Sequence, residues 1–293
     1  MSDVSVVVVT YNGMPWIEQA LASVRGVETV VVDNGSSDDT VAVVRERFPE
    51  VEVVEQENRG LAAGWNAGIE RTGGRYVLLL NSDAWLDAGA LDALVAFADA
   101  HRDVAVVGPR LRNPDGTLQR SVRGFPTLWR LATELLFLRK LAPRSQAFNA
   151  FYAGGFDHDE ERDAEFLMGA IWLVRRAAID EVGPADERFF LFSEEVDWAY
   201  RFRRAAWKSL FFPGAGATHV SGASHQGRLY VEIQKGHLRF LAKHHGTASA
   251  ERARRLLRIS LALRGALYRG ERGRVAREAA AWLGSGSVEA LLR

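Results

Sequence analysis

Val4-Ser5-Val6-Val7-Val8-Val9-Thr10-Tyr11-Asn12 is the stretch that decides the fold. Val4 to Val9 is short, almost continuous and rich in valine, the pattern of a strand covered on both faces. It ends in three polar residues. Amphipathic helical stretches then alternate with further short β-branched runs. A helix is expected from Pro15 to about Arg25, with Pro in its first turn, and a strand from Thr29 to Asp33. Ser36 or Ser37 is expected to cap a helix running through Phe48 and stopped at Pro49. Strands at Val51–Glu55, Tyr76–Leu80 and Val104–Val107 are interleaved with helices at Leu61–Thr72 and Ala88–Ala100. Strands separated by helices of about a dozen residues imply right-handed βαβ units on a mostly parallel sheet.

Beyond this half the pattern is weaker. Asn113-Pro114-Asp115-Gly116 reads as a hairpin turn, and residues 120–165 as a long excursion over one face. Phe166 to Val174 is an apolar run, followed by helices at Ala177–Val182 and Glu194–Ala206. Leu210–Phe212 and Ala217–Val220 read as two closing strands, and from Tyr230 onward helices break near Gly246, Gly270 and Gly284.

The 293 residues, 47% hydrophobic and 25% charged, suffice for one large α/β domain and exclude disordered or collagen-like chains. The absence of cysteine excludes disulfide scaffolds, thiolate metal sites and cysteine nucleophiles. No basic leader precedes the first strand, and the apolar stretch Leu128–Leu138 is too short to span a bilayer. Cytoplasmic residence is therefore expected. The 37 basic and 37 acidic side chains cancel but are segregated: residues 225–293 carry +9 and residues 1–224 carry −9. A basic tail on an acidic body suggests an anionic partner for the tail. The tail has no recognised nucleic-acid module, so no nucleic acid is expected.

Ligands of open α/β sheets bind at the carboxyl ends of the strands. Polar residues gather there: Thr10-Tyr11-Asn12, Asp33 through Asp38, Asn58-Arg59-Gly60 leading into a helix with Asn66, and Asn81-Ser82-Asp83. Any one of these clusters could be only turns and caps; together they describe one edge. No Gly-x-Gly-x-x-Gly or Walker loop follows the first strand, so dinucleotide and P-loop readings are weak. Asp83, a hard oxygen ligand just past a strand, suits Mg²⁺ or Mn²⁺ and hence a nucleoside diphosphate.

Val8-Val9-Thr10-Tyr11-Asn12, Val32 through Asp38, Asn58-Arg59-Gly60 and Asn81-Ser82-Asp83 resemble the donor half of family 2 glycosyltransferases. Met168-Gly169-Ala170, Phe189 through Trp198, and His219 resemble the rhamnosyltransferase-like branch, so that the likeness covers roughly residues 4–245. The resemblance implies an inverting enzyme of the A-type fold: a single Rossmann-like domain over residues 1–225, with the donor half to about 110, and a basic helical extension over 226–293. It implies that Thr10, Tyr11, Asn12, Asn81 and Ser82 line a nucleotide-sugar pocket. Asp33 would accept the imide N–H of a pyrimidine, Gly60 would let the backbone approach the ligand, and Asn66 would lie beside it. Asp83 sits in the Asp-x-Asp position, whose first member is Asn81 here, and His219, followed by Ser221-Gly222, matches a C-terminal metal ligand. Glu195 matches the general base, with Asp197 as the rival. Glu194 and Trp172 mark the expected acceptor side. The implied donor is a dTDP- or UDP-sugar, and the implied acceptor a glycan or polyprenyl-diphosphate-linked sugar of the cell envelope. A nucleotide-sugar-binding subunit with reduced catalysis is the alternative. Leu128, Trp129, Ala132, Leu136 and Phe137, together with the tail arginines Arg252, Arg254, Arg255, Arg258, Arg264 and Arg269, form a candidate interfacial surface at the inner face of the cytoplasmic membrane. The alternatives are helices packed on the catalytic domain with a solvated basic face, or a homodimer interface.

Overall fold

A computed structural model describes residues 3–220 and 230–293. The first strand, β1 (Val4–Thr10), is buried at every position. Its alternate side chains serve two cores: Val6 and Val8 face one, Val7 and Val9 the other, which is why the run shows no polar alternation. Around it lie α1 (Ile17–Ala22), β2 (Glu28–Asp33), α2 (Thr40–Arg47), β3 (Glu52–Glu55), α3 (Leu61–Ile69) and β4 (Tyr76–Asn81). β3, β2, β1 and β4 are neighbours and all parallel. α3 lies close on β1 because Gly64 and Gly68 face it; a Cβ on either would fall within 2.5 Å of a Val9 or Val7 methyl.

The second half is mixed. β5 (Ala84–Leu86), α4 (Ala90–Ala100), β6 (Val104–Arg112), β7 (Leu118–Gln119) and β8 (Val122–Arg123) lead into α5 (Leu128–Leu135), α6 (Leu138–Leu141) and a 3₁₀ turn at Ala150–Tyr152. β9 (Arg162–Ala164) and β10 (Phe166–Leu167) precede β11 (Ile171–Arg175), which enters antiparallel between β4 and β6. α7 (Arg176–Val182) and α8 (Glu194–Arg204) then lead to β12 (Lys208–His219). β12 runs parallel to β6 and antiparallel to β5. The two closing strands expected from sequence are this one strand, with its pairing to β6 interrupted between Phe212 and Gly216. The chain ends in α9 (Tyr230–His245), α10 (Thr247–Leu267), α11 (Gly270–Gly284) and α12 (Val288–Leu291), with breaks at the glycines that mark them in the sequence.

These last helices share the core of the sheet domain. Leu238, Phe240, Leu241, Leu257 and Leu261 belong to the same buried cluster as Val7, Trp65 and Trp198. Phe240 stacks on Phe125 at 6.1 Å and meets Tyr200 edge-on at 5.3 Å. Among the described residues no helix is long and apolar enough to cross a membrane. Ser221 and Gly222 lie outside the described residues.

Two expected helix starts are corrected. α1 begins at Ile17, two residues beyond Pro15, and α2 begins at Thr40 after Asp39. Ser36 and Ser37 cap nothing there. They are spent on the neighbouring loop instead, because Asn12 lies opposite and competes for them.

Candidate active site

The loops after β1 and β2 are sewn together. Thr10 pairs with Asp33 across the parallel ladder. The N–H of Asn12 donates to Ser36 Oγ at 2.8 Å, and Asn12 Oδ1 accepts the N–H of Ser37 at 2.8 Å. Gly13 N–H donates to Thr40 Oγ1 at 2.9 Å. Asp33 is buried, and Oδ2 accepts the N–H groups of Gly35 and Ser36 at 3.0 and 2.8 Å. This fixes a rigid rim with Tyr11 exposed on it and Thr10 Oγ1 buried without a partner.

Asn81, Ser82 and Asp83 close β4, and Asn81 N–H donates to Ala170 O at 3.0 Å. β5 then pairs with the end of β12, aligning His219 with Ala84. That register brings His219 Nε2 to 3.5 Å from Asp83 Oδ1, with both side chains buried. Gln119 Oε1 lies 2.7 Å from His219 Nδ1. An amide oxygen can only accept, so Nδ1 carries a proton and the ring is held with Nε2 directed at Asp83. A carboxylate oxygen and an oriented imidazole nitrogen suit a divalent cation that takes its remaining ligands from phosphates and water. Among the described residues no group of three His, Asp or Glu could hold an ion alone.

The carboxylates stand at the head of α8. Glu195 packs on the bend at Gly169, where a Cβ would lie 3.2 Å from the Glu195 Cβ. Since Ala170 binds Asn81, the same bend touches both the Asp83 cluster and Glu195. Glu195 Oε2 is buried with no hydrogen-bond partner. Burial pushes its carboxyl up to about 7, against the backbone at Ser193, Glu195 and Val196 and the charge of Arg123. Glu194, also buried, is pushed well above the usual carboxylate range by burial and then by Glu195.

Asp197 is placed differently. It is fully buried, and its oxygens meet Arg201 Nε at 2.9 Å and both Lys243 Nζ and His244 Nε2 at 2.7 Å. Burial disfavours its ionisation, but His244, Lys243 and Arg201 outweigh burial and hold it below the usual range. A carboxylate so engaged has no capacity to take a proton from a substrate near neutral pH.

Three sequence expectations change. Trp172 is 1% exposed and stacks on Trp65, which stacks in turn on Trp198. It belongs to a tryptophan floor beneath the Gly169 bend. Asn66 is buried, and its amide is occupied by Ala185, through both N–H and C=O, and by Glu187. It pins the 185–187 loop and does not line a pocket. Gly60 does allow a close approach, but to the backbone of Phe190: a Cβ would lie 2.2 Å from Phe190 O, at φ +94°. Gln119 was missed; the nearby turn at 113–116 was legible, but nothing in a two-residue strand points to a histidine one hundred residues away.

Solved structures give the class. The chain superposes on GalNAc-T7 with UDP, GalNAc and Mn²⁺ (TM-score 0.61, 16% identity, 99% of this chain and 55% of that one). It also superposes on the mannosyltransferase PcManGT of Pyrobaculum calidifontis with GDP-Man and Mn²⁺ (TM-score 0.57, 17% identity, 99% and 84%). The fold is thus the A-type glycosyltransferase fold. Residues 5–183 match the glycosyl transferase family 2 model, and the chain belongs to that family. It is 32% identical over 286 residues to the N-acetylglucosaminyl-diphospho-decaprenol L-rhamnosyltransferase of Mycobacterium tuberculosis, covering 90% of this chain and 92% of that protein. The protein is a hexosyltransferase of the rhamnosyltransferase-like kind.

Proposed function

We propose that the protein transfers L-rhamnose, with inversion, from a pyrimidine-diphosphate donor such as dTDP-rhamnose to a sugar carried on a polyprenyl diphosphate. The buried, partnerless Oε2 of Glu195, joined through the Gly169–Ala170 bend to the Asp83–His219 pair, is the observation that carries this reading. The kinship to a rhamnosyltransferase that acts on such an acceptor supports it.

In this reading Thr10, Tyr11, Asn12 and Asp33 hold the nucleoside, and Asn81, Ser82 and Asp83 face the diphosphate. Asp83 and His219 would hold Mg²⁺ or Mn²⁺, which neutralises charge on the departing diphosphate. Glu195 takes the proton of the acceptor hydroxyl as that oxygen attacks the anomeric carbon in line. The bond to the diphosphate breaks in the same step, and no covalent enzyme intermediate is needed. Burial and the neighbouring Glu195 both disfavour the ionisation of Glu194 beside the base.

The test is turnover of dTDP-, UDP- and GDP-sugars, with and without Mn²⁺, on a short-chain GlcNAc diphospholipid. Transfer from dTDP-rhamnose alone is expected; donor hydrolysis with no transfer to any acceptor would overturn the proposal. Asp83→Ala is expected to weaken Mn²⁺-dependent donor binding at least about tenfold by calorimetry, the least that losing even an outer partner of a ligand commonly costs. An unchanged affinity would remove Asp83 from the cation site.

A membrane-bound acceptor also explains an exposed surface. On α10, Ile259, Leu263 and Leu267 recur at every fourth residue and are 62, 57 and 75% exposed, with Arg252 and Arg255 at the head of the same face. α5 packs beside α10, and Arg264 reaches Glu134 O at 3.1 Å and lies over Phe137 at 4.5 Å. Trp129 and Leu136, on and just after α5, are also exposed. An apolar stripe bordered by arginines is the pattern of a surface that rests in a bilayer interface. Replacing Leu263 and Leu267 together by Glu is expected to reduce binding to anionic vesicles about tenfold or more in a flotation assay. Equal binding by wild type and variant would assign the stripe another role.

A further inference from the structure

Enclosed arginines in this protein are matched with care. Arg130 forks onto Glu165 with two contacts of 2.6 Å, and Arg175 spends its donors on the carbonyls of Ala98, His101 and Val104. Arg176 and Arg201 likewise place two or more donors each. Arg123, at the end of β8, departs from this pattern. Its guanidinium is largely enclosed, yet it donates one hydrogen bond, to the carbonyl of adjacent Val122 at 3.1 Å. Among the described residues its guanidinium otherwise meets only the face of Tyr152, 4.9 Å from the ring centroid. Among the described residues no carboxylate lies within ion-pairing distance of it.

A guanidinium carries five N–H donors, and enclosing it with most of them unused is costly unless something else receives them. Its position indicates what that is. β8 pairs with β10, Arg123 opposite Phe166, and Ser121 O accepts the N–H of Met168, one residue before the Gly169 bend on which Glu195 packs, so Arg123 stands on the side of the proposed base. The Asp83–His219 pair is joined instead to β7, through Gln119. The wall around Arg123 continues through Phe151, onto which His237 packs edge-on at 6.1 Å. His237 Nδ1 is buried without a partner, and burial pulls the imidazole down to about 4, so it is neutral at pH 7.

We propose that Arg123 forms, with Tyr152 and His237 in its wall, a subsite for the diphosphate of the acceptor. An acceptor sugar whose hydroxyl meets Glu195 places its anomeric diphosphate one ring away, and a planar fork matches phosphate oxygens two at a time. The inference deepens the transfer reading above and rests on it for the identity of the acceptor. A diphosphate could also reach Arg123 from the donor, and the experiment separates the two sources.

The full chain and Arg123→Gln are compared on two probes, a GlcNAc-α-diphosphoryl alkyl lipid and the GlcNAc alkyl glycoside without phosphates. Affinity is read by calorimetry without donor, KM with donor, and dTDP affinity in a third arm. Wild type is expected to prefer the diphosphate probe by roughly 10–100-fold, the scale of charge-assisted hydrogen bonds. Arg123→Gln should remove that preference and leave alkyl-glycoside and dTDP affinities unchanged. Arg123→Lys, which keeps the charge without the fork, should restore part of it and also controls for a folding defect. Equal loss on both probes, loss of dTDP affinity, or a displaced pH profile with the preference intact would each overturn the assignment. Wild type that binds the diphosphate probe but transfers to nothing would sink the transfer reading and leave the subsite standing. Transfer to both acceptors with equal KM would do the reverse.

Discussion

Glu195→Gln is expected to lower turnover by about 10²–10⁴-fold while donor affinity stays within twofold of wild type. Gln keeps the size and the position over Gly169 but cannot accept a proton. The donor loops, tied through Asn12, Ser36 and Thr40, do not depend on it. The wild-type pH profile carries the same assignment. A base held up to about 7 is half protonated there, so kcat/KM should fall tenfold per pH unit below that point. An ordinary glutamate would place this limb near 4. Because the folded-state value is raised, ionising Glu195 also costs stability. Its contribution is fully present below the unfolded-state value and is lost as pH rises through about 7. An active Glu195→Gln, or an acid limb near 4 in the wild type, would move the base elsewhere.

What the sequence showed and what it concealed divide along physical lines. Strands β1 to β4 and the polar ends of β1, β2 and β4 were legible because each is local: a valine run, a turn-forming cluster, a fixed spacing. The position of β11 was not. The apolar run from Phe166 to Val174 states that the segment is buried, but not that it enters antiparallel between β4 and β6. The same limit applied to Trp172, which reads as a wide aromatic near the site and is in fact under it. Glu195 and Asp197 were rivals in sequence because both are acidic and in the first turn of one helix. Their partners separate them, and those at 243 and 244 come from a helix nearly fifty residues later. Ser36 and Ser37 show local propensity overruled: they are good caps, yet Asn12 across the β1–β2 ladder claims both.

Asp197→Ala should be the most destabilising single change near the site, by roughly 3–5 kcal/mol, the scale for removing one partner of a buried ion pair. The carboxylate is inaccessible to water and is the common anion for Arg201, Lys243 and His244. Lys243 would retain Asp186 at 2.7 Å, and Arg201 the carbonyls of Val182 and Pro184. The loss therefore concentrates on His244 and on the contact between α8 and α9. Asp197→Asn, which keeps the shape but not the charge, should recover only part of it. The pH dependence has a definite sign. Since the folded-state value is depressed, the stabilisation is complete above the unfolded value of about 3.9 and disappears as pH falls through the lower folded one. Urea unfolding at pH 7 should show the full gap between wild type and variant, and unfolding at pH 3 a smaller one. A gap independent of pH would mean that Asp197 acts by packing alone. No gap at either pH would show that the basic helices hold their place on the catalytic body without this anchor, through Phe240 and Leu241.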